Sequence, residues 1–224
     1  MILAVLILAG IFGSHIYAVS SVFLGFIVFA IPIVIKEEKE TLKKKHWHVL
    51  FAIIGIAIVV AITIFNPMSG SQTSVDVTNL NLGLIAYVFF VAMIAISAMV
   101  LPGISGSTLL LIFGLYIPII NAIKEFLHLN FAYLPILIVF GLGVITGALL
   151  IIKLIKMALE KFRGQTIYLI IGLMIGSLYA IVMGPTTLEV PQEPMSLSTF
   201  SIIFFAIGGA IIFGLQKLKD VLDK

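Results

Sequence analysis

Long apolar runs dominate this chain and restrict the folds that it can adopt. Of its 224 residues, 62% are hydrophobic and only 10% are charged. The runs at residues 16–35, 49–65 and 167–183 approach the roughly 20 apolar residues with which a helix crosses a bilayer. Backbone polar groups in hydrocarbon must be paired within their own segment, so these runs predict helices. We therefore predict an all-α, polytopic integral membrane protein with about six spans.

One polar stretch interrupts the apolar sequence between residues 82 and 121. It reads Leu-Pro-Gly-Ile-Ser-Gly-Ser-Thr at residues 101–108. Proline removes a backbone donor, and glycine permits conformations that other residues resist. Irregular backbone at membrane depth must be buried in protein or line a wet cavity. The stretch therefore predicts a broken helical hairpin, and the sequence leaves open whether residues 82–120 span twice or are re-entrant.

The break has the chemistry of an anion site. A helix beginning near Ser105 presents unpaired amides and the positive end of its dipole, where phosphate groups bind. We predict that the following residues bind such a group: Pro102, Gly103, Ser105, Gly106, Ser107 and Thr108. The alternative is a kinked helix whose hydroxyls bond back to their own carbonyls.

Three further residues are candidates for the surroundings of this site. Ser97 precedes the break, Ser177 follows Gly176, and Arg163 is the only arginine in the sequence. Each also has a structural interpretation: a backbone hydrogen bond for Ser97, helix contact for Ser177 and an interfacial anchor for Arg163.

The cations predict an orientation in the membrane. Residues 36–48, 153–165 and 216–224 hold twelve of the thirteen lysines and arginines, whereas residues 66–81 and 184–198 hold none. Because positive loops stay cytoplasmic, the first group is predicted inside, together with the C-terminus, in the cell membrane. The assignment holds for either form of the hairpin, since both return the chain to the outside.

Several functions are disfavoured by residues that the sequence lacks. There is no cysteine, and the predicted spans contain no acidic residue of the kind that ion antiporters use. His46 and His48 have no third ligand nearby, so no metal site is predicted. No nucleotide-binding or hydrolase motif occurs. We therefore expect neither an enzyme, nor a cofactor, nor a nucleic-acid partner.

A faint internal repeat runs at an offset of 151 residues. Phe12-Gly13, Ile16-Tyr17 and Gly25 correspond to Arg163-Gly164, Ile167-Tyr168 and Gly176. The charge rule makes the two copies antiparallel, as in inverted-repeat transporters. We predict a single transmembrane domain over residues 1–224. It comprises the remnant of a first repeat at 1–81, a second repeat at 82–183 and a final span at 199–215. The counterpart of Pro102 would lie before Met1.

The motif resembles one known family. The matching residues are 99–107, 109–111 and 114–116, with Gly172-Leu173-x-x-Gly176-Ser177 further on. They are similar to the membrane family named domain of unknown function 368, which is associated with polyprenyl-phosphate (undecaprenyl-phosphate) translocation. The resemblance implies inverted repeats and a flippase that returns the lipid carrier's phosphate headgroup to the inner leaflet for cell-envelope synthesis. The break at 102–108 would be its headgroup site.

This chain departs from the family in two respects. It lacks the amino-terminal copy of the break, and Ile117 stands where relatives often carry an acidic residue. One helix end offers only about half a charge, so a single break would be an incomplete site. A fragment, a truncated paralogue and completion by a second subunit in a homo-oligomer are the open explanations. The alternatives are a transporter or channel for a small soluble anion and a non-transporting membrane scaffold.

Overall fold

The computed structural model describes residues 2–43, 46–65, 81–100, 102, 105–187 and 191–222, with only the backbone given for residues 2–14, 46 and 187. Within these ranges the chain is built of helices joined by short turns. The helices are α1 (Ile2–Glu37), α2 (Lys39–Lys43), α3 (Val49–Ile64), α4 (Leu82–Met99), α5 (Gly106–Ile112), α6 (Tyr116–Leu127), α7 (Leu134–Lys161), α8 (Arg163–Met183) and α9 (Ile202–Leu222).

The predicted all-α, polytopic architecture is confirmed. Among the described residues, five segments are long and apolar enough to cross a membrane: His15–Glu37, Leu82–Met99, Phe131–Lys161, Arg163–Thr186 and Ile202–Leu222. The apolar helix α3 is shorter, at 16 residues. Helix α1 is kinked at His15, which leaves helical geometry (φ −135°, ψ 36°) just before the apolar run at residues 16–35.

The chain divides into two compact units. The first comprises residues 1–63 and 167–224, and the second comprises residues 64–166. Glycines allow very close helix packing in the first unit. A Cβ atom built on Gly172 of α8 would lie 2.1 Å from the carbonyl oxygen of Ala52 in α3, and one built on Gly25 of α1 would lie 2.2 Å from that of Phe205 in α9. A Cβ atom on Gly176, one turn further along α8, would likewise lie 3.0 Å from the Val59 Cβ in α3.

The paired helices of the first unit run parallel. Along α1 and α9, Ser21 contacts Ser201 near one end and Glu37 contacts Lys219 near the other. Along α3 and α8, Ala52 lies beside Gly172 and Ile56 lies beside Gly176. The two helices of each pair therefore run in the same direction, which is compatible with the charge-based topology.

The second unit is built around a parallel pair, α4 and α7. A Cβ atom on Gly143 would lie 2.5 Å from the carbonyl oxygen of Phe89, and one on Gly147 would lie 2.5 Å from that of Met93. Because both contacts advance in the same direction, α5 and α6 must return the chain to the level at which α4 begins. This agrees with the prediction that the broken hairpin returns the chain to its starting side.

An apolar cluster secures this return. Its buried members come from α4, α6 and the start of α7 together with the turn before α6: Leu84, Val88, Val91, Leu115, Ile119, Ala122 and Ile136. Leu115, at 0% exposure, is the largest of the fully buried side chains described. The turn between α5 and α6 is thus fixed by hydrophobic burial, which drives packing in proportion to the apolar area covered.

The segment after the break forms two short helices. The first, α5, ends at Ile112, and the second, α6, continues to Leu127. The two helices meet at 107°. Gly114 has a φ of 66°, a conformation that glycine adopts without steric cost, and it turns the chain there.

Candidate functional site

The break forms the tip of a tight hairpin. We call α4, residues 100–105 and α5 the break hairpin. A Cβ atom on Gly106 would lie 3.2 Å from the carbonyl oxygen of Ala95, so α5 starts beside the last turns of α4. At its other end Phe113 lies beside Tyr87. With seven residues α5 rises only about 10 Å, too little to cross roughly 30 Å of hydrocarbon.

A hydrogen bond closes the far end of the break hairpin. The Tyr87 hydroxyl donates to the carbonyl oxygen of Phe113 over 2.7 Å. Phe113 caps α5 at its C-terminus, where carbonyls lack helical partners.

We expect Tyr87→Phe to loosen the hairpin without changing its side-chain volume much. The lost hydrogen bond is worth about 1 kcal/mol, so the melting temperature of the purified protein should fall by a few degrees. Tyr179→Phe, on α8 in the first unit, is the control and should melt within a degree of the unaltered protein. Equal melting temperatures for the two variants would contradict the role given to Tyr87.

The hydroxyls of the break pair with each other. Ser105 and Ser107 are exposed, and their Oγ atoms lie 2.7 Å apart. Ser105 is the N-cap of α5, yet its side chain caps no amide among the described residues. One hydroxyl proton is used within the pair, so the other can be donated to a ligand together with the first-turn amides.

The remaining predicted residues have different positions. Thr108 and Pro102 are half-buried. Gly106 faces α4, because a Cβ atom on it would point at the carbonyl oxygen of Ala95. Its small size allows α5 to start close to α4. Gly103 lies outside the described residues, as do Leu101 and Ile104.

The break lies near one end of α4. The 18 residues of α4 rise about 27 Å, close to a full hydrocarbon thickness. The exposed hydroxyls are therefore nearer to one membrane surface than to the midplane expected for inverted-repeat transporters. Helix α5 has only seven residues, so its dipole is weak. The main polar feature at its N-terminus is therefore the hydroxyl pair.

A cleft of about 650 Å³ opens at the same end of the second unit. Val100, the first residue after α4, lines it together with the end of α7 and Arg163. The lining residues from α7 are Ile152, Ile155, Lys156, Leu159 and Glu160. The structure thus brings the predicted residue Arg163 to the end of α4 from which the break departs.

The two other surrounding residues have backbone partners. The Ser97 hydroxyl lies 2.7 Å from the carbonyl oxygen of Met93 and 3.2 Å from that of Gly147, which ties α4 to α7. Ser177 is 1% exposed, and its hydroxyl donates to Met174 within α8 of the first unit. Both hydroxyl protons are used in the way expected of packing residues.

Sequence reasoning missed Lys156 and Glu160. The signal was present, because residues 152, 155, 156, 159 and 160 follow the spacing of one helix face. The lysines of this segment were read only as markers of orientation, and no sequence pattern linked them to residue 100.

These features define a class: a polytopic helical membrane protein in which a break with exposed hydroxyls is followed by a bent pair of short helices. Comparison with known proteins identifies the group within that class. The chain belongs to the undecaprenyl phosphate translocase-like family, because the sequence model of that family matches residues 1–199. The predicted resemblance to a polyprenyl-phosphate translocase family is confirmed to this extent. The designation as domain of unknown function 368 and the missing first copy of the break stay predictions.

Two relatives carry the name polyprenyl-phosphate transporter. The Staphylococcus aureus (strain NCTC 8325 / PS 47) protein is 37% identical over 197 residues, covering 87% of this chain and 66% of the relative. The Vibrio cholerae serotype O1 (strain ATCC 39315 / El Tor Inaba N16961) protein is 27% identical over 230 residues, covering 92% and 68%. This chain therefore spans about two thirds of each relative's length. No solved structure matches the chain. The relatives are named as transporters, in agreement with the expectation of a non-enzyme.

Proposed function

We propose that this chain takes part in moving a polyprenyl phosphate, such as undecaprenyl phosphate, from the outer to the inner leaflet of the cell membrane. Flipping of this kind would return the lipid carrier for another round of cell-envelope synthesis. The observation that carries the proposal is the exposed hydroxyl pair of Ser105 and Ser107 at the start of α5, in a chain of the undecaprenyl phosphate translocase-like family.

The break supplies hydrogen-bond donors suited to a phosphate headgroup. In the sequence Pro102 and Gly103 precede Ser105, Ser107 and Thr108, which supply hydroxyls and first-turn amides of α5. A hydrogen bond to a charged group contributes about 1.5–3 kcal/mol, roughly twice a neutral one. Two such bonds recognise phosphate over the uncharged hydroxyl of a polyprenol.

The cation distribution supports an inward-facing position for this end of the hairpin. Under the charge rule α4 and α7 both run from outside to inside, so residue 100 and the 153–165 segment lie on the cytoplasmic side. The parallel packing of α4 and α7 is compatible with that direction. In this proposal loop 36–48 and the C-terminus are also cytoplasmic, and the headgroup leaves the break into the inner leaflet.

The single break also bears on the assembly. We retain the inverted repeat as part of the proposal, with a second break facing the first. A second copy of this chain or additional sequence would supply it, because two facing helix ends approach the charge of a phosphate better than one. Mass measurement of the purified protein in nanodiscs distinguishes one copy from two.

The proposal is tested by ligand discrimination. We expect undecaprenyl phosphate to raise the melting temperature of the purified full chain, and the neutral undecaprenol to raise it much less, because only the former has a headgroup for the break. Reconstituted vesicles should likewise flip undecaprenyl phosphate and not undecaprenol. An equal response to the two lipids would contradict headgroup recognition.

Two other functions are outcomes of the same experiment. Stabilisation by inorganic phosphate alone, at the concentration used for the lipid, would favour a small soluble anion as the cargo. A lack of response to every phosphate compound would favour a membrane scaffold without transport.

A further inference from the structure

The cleft at the end of α7 has two kinds of wall. Val100, Ile152, Ile155 and Leu159 are apolar, whereas Lys156, Glu160 and Arg163 are charged. A water-filled site for a soluble ion needs no apolar wall, and a plain helix contact needs no cations. The combination is complementary to an amphiphile that has an anionic headgroup and a hydrocarbon chain.

The ion pair on the charged side of the cleft is weak. Lys156 Nζ lies 4.0 Å from Glu160 Oε1, and the two side chains are 76% and 64% exposed. An exposed pair one helical turn apart contributes only about 0.3–0.5 kcal/mol. Lys156 can therefore leave Glu160 for a phosphate oxygen at little cost. Arg163 adds a guanidinium, whose planar donors bind phosphate through two bonds.

The position of Arg163 adds to the positive field. It is the first residue of α8, a helix of 21 residues, and so lies at the positive end of that helix dipole. With one carboxylate and two cations, the charged side has a formal charge of +1. A phosphate monoester, carrying one to two negative charges, neutralises that charge.

We propose that this cleft is a second phosphate subsite, used by the lipid carrier after it leaves the break. Lys156 and Arg163 bind the headgroup, and the first isoprene units lie against Ile152, Ile155 and Leu159. Glu160 competes with the phosphate for Lys156, which keeps binding weak enough for release. The inference rests on the proposed function and extends it by naming the residues of the exit position.

The subsite predicts opposite effects for neighbouring substitutions. In purified full chain, Lys156→Gln and Arg163→Gln should each weaken undecaprenyl phosphate binding by about tenfold or more, the loss expected for one charge-assisted contact. Glu160→Gln should instead strengthen binding by about two- to threefold, since the competing carboxylate is gone. Arg163→Lys, which keeps the charge but not the planar donors, should be intermediate.

The matched control is Lys153→Gln. It removes the same charge from the same helix, one turn before Lys156, and its side chain does not line the cleft. We expect its affinity to equal that of the unaltered protein. A merely structural or long-range charge effect would change Lys153→Gln as much as Lys156→Gln and would not reverse sign at Glu160. Either result would overturn the subsite.

The ligand panel separates failure of the subsite from failure of the proposed function. If the unaltered protein prefers undecaprenyl phosphate to undecaprenol but Lys156→Gln binds like Lys153→Gln, the subsite is wrong and the proposed function stands. If the unaltered protein shows no such preference, both fail. Inorganic phosphate serves as the third probe. If it binds as tightly as undecaprenyl phosphate, Lys156 and Arg163 bind a soluble anion, and the proposal of a lipid subsite is wrong.

Discussion

Ser107→Asp should lower the affinity of the purified protein for undecaprenyl phosphate by more than tenfold, whereas Ser107→Asn should stay within about threefold of the unaltered protein. Aspartate and asparagine are nearly isosteric, so the pair differs mainly in charge. Ser107 is exposed, and its Oγ lies 2.7 Å from that of Ser105. Either side chain therefore has room, and any difference between the variants reports the charge of the ligand.

The expected size follows from Coulomb's law. Two unit charges about 4 Å apart repel by roughly 1 kcal/mol in water and by roughly 4 kcal/mol at the effective dielectric of a protein surface. A phosphate beside the introduced carboxylate would experience a repulsion between these limits. Thermal-shift titration with undecaprenyl phosphate measures the change, and undecaprenol, which has no charge, should bind both variants equally.

The chain offers a matched control for the hydroxyl pair. Ser196 and Ser198 are also exposed and two residues apart, with their Oγ atoms 2.8 Å from each other, but they lie in the first unit before α9. Ser198→Asp adds the same charge to the same kind of pair. It should leave lipid affinity unchanged. A comparable loss at Ser198, or none at Ser107, would show that the break does not contact the headgroup.

The sequence was sufficient to predict most of the spans. The segments that became α4, α7, α8 and α9 carry long uninterrupted apolar runs, and membrane solvent leaves such runs only the helical option. The cations also predicted the return of the chain after the break, which agrees with the parallel packing of α4 and α7. Hydropathy and charge are properties of single residues and short windows, so both can be read without a structure.

The hairpin's interior was harder to predict because it depends on contacts between distant residues. The end of α5 at Ile112 requires Gly114 to turn and Leu115 to be buried among side chains of α4, α6 and α7. The sequence does not show that Gly106 faces Ala95. The cleft was missed for the same reason, since Val100 and Lys156 line one cleft only because α4 packs against α7.

That packing connects stability with the site. The break departs from the end of α4, and the cleft lies between that end and the end of α7. A displacement of α4 relative to α7 would therefore move the headgroup donors and the cations apart. The glycines between the two helices decide their separation, because a methyl group at either position would meet a backbone carbonyl oxygen of α4 at 2.5 Å.

Gly143→Ala should accordingly destabilise the protein far more than Gly141→Ala on the same helix. A Cβ at Gly143 would lie 2.5 Å from the Phe89 carbonyl oxygen and 2.9 Å from the Ala92 Cβ, whereas one at Gly141 meets nothing within 4 Å. Overpacking of this kind costs about 1–3 kcal/mol, which lowers the melting temperature by several degrees. Gly141→Ala should be neutral or slightly stabilising, since alanine favours helix by about 1 kcal/mol over glycine.

Gly147→Ala provides a second measurement at the same interface, where the added atom would lie 2.5 Å from the Met93 carbonyl oxygen. We expect Gly147→Ala to lower the melting temperature by about as much as Gly143→Ala does. Variants that still fold should also bind undecaprenyl phosphate less tightly, because α4 must move to admit the methyl group and carries the break with it. If Gly143→Ala and Gly141→Ala melt together, α4 and α7 are not held at this distance, and the connection between helix packing and the headgroup site is lost.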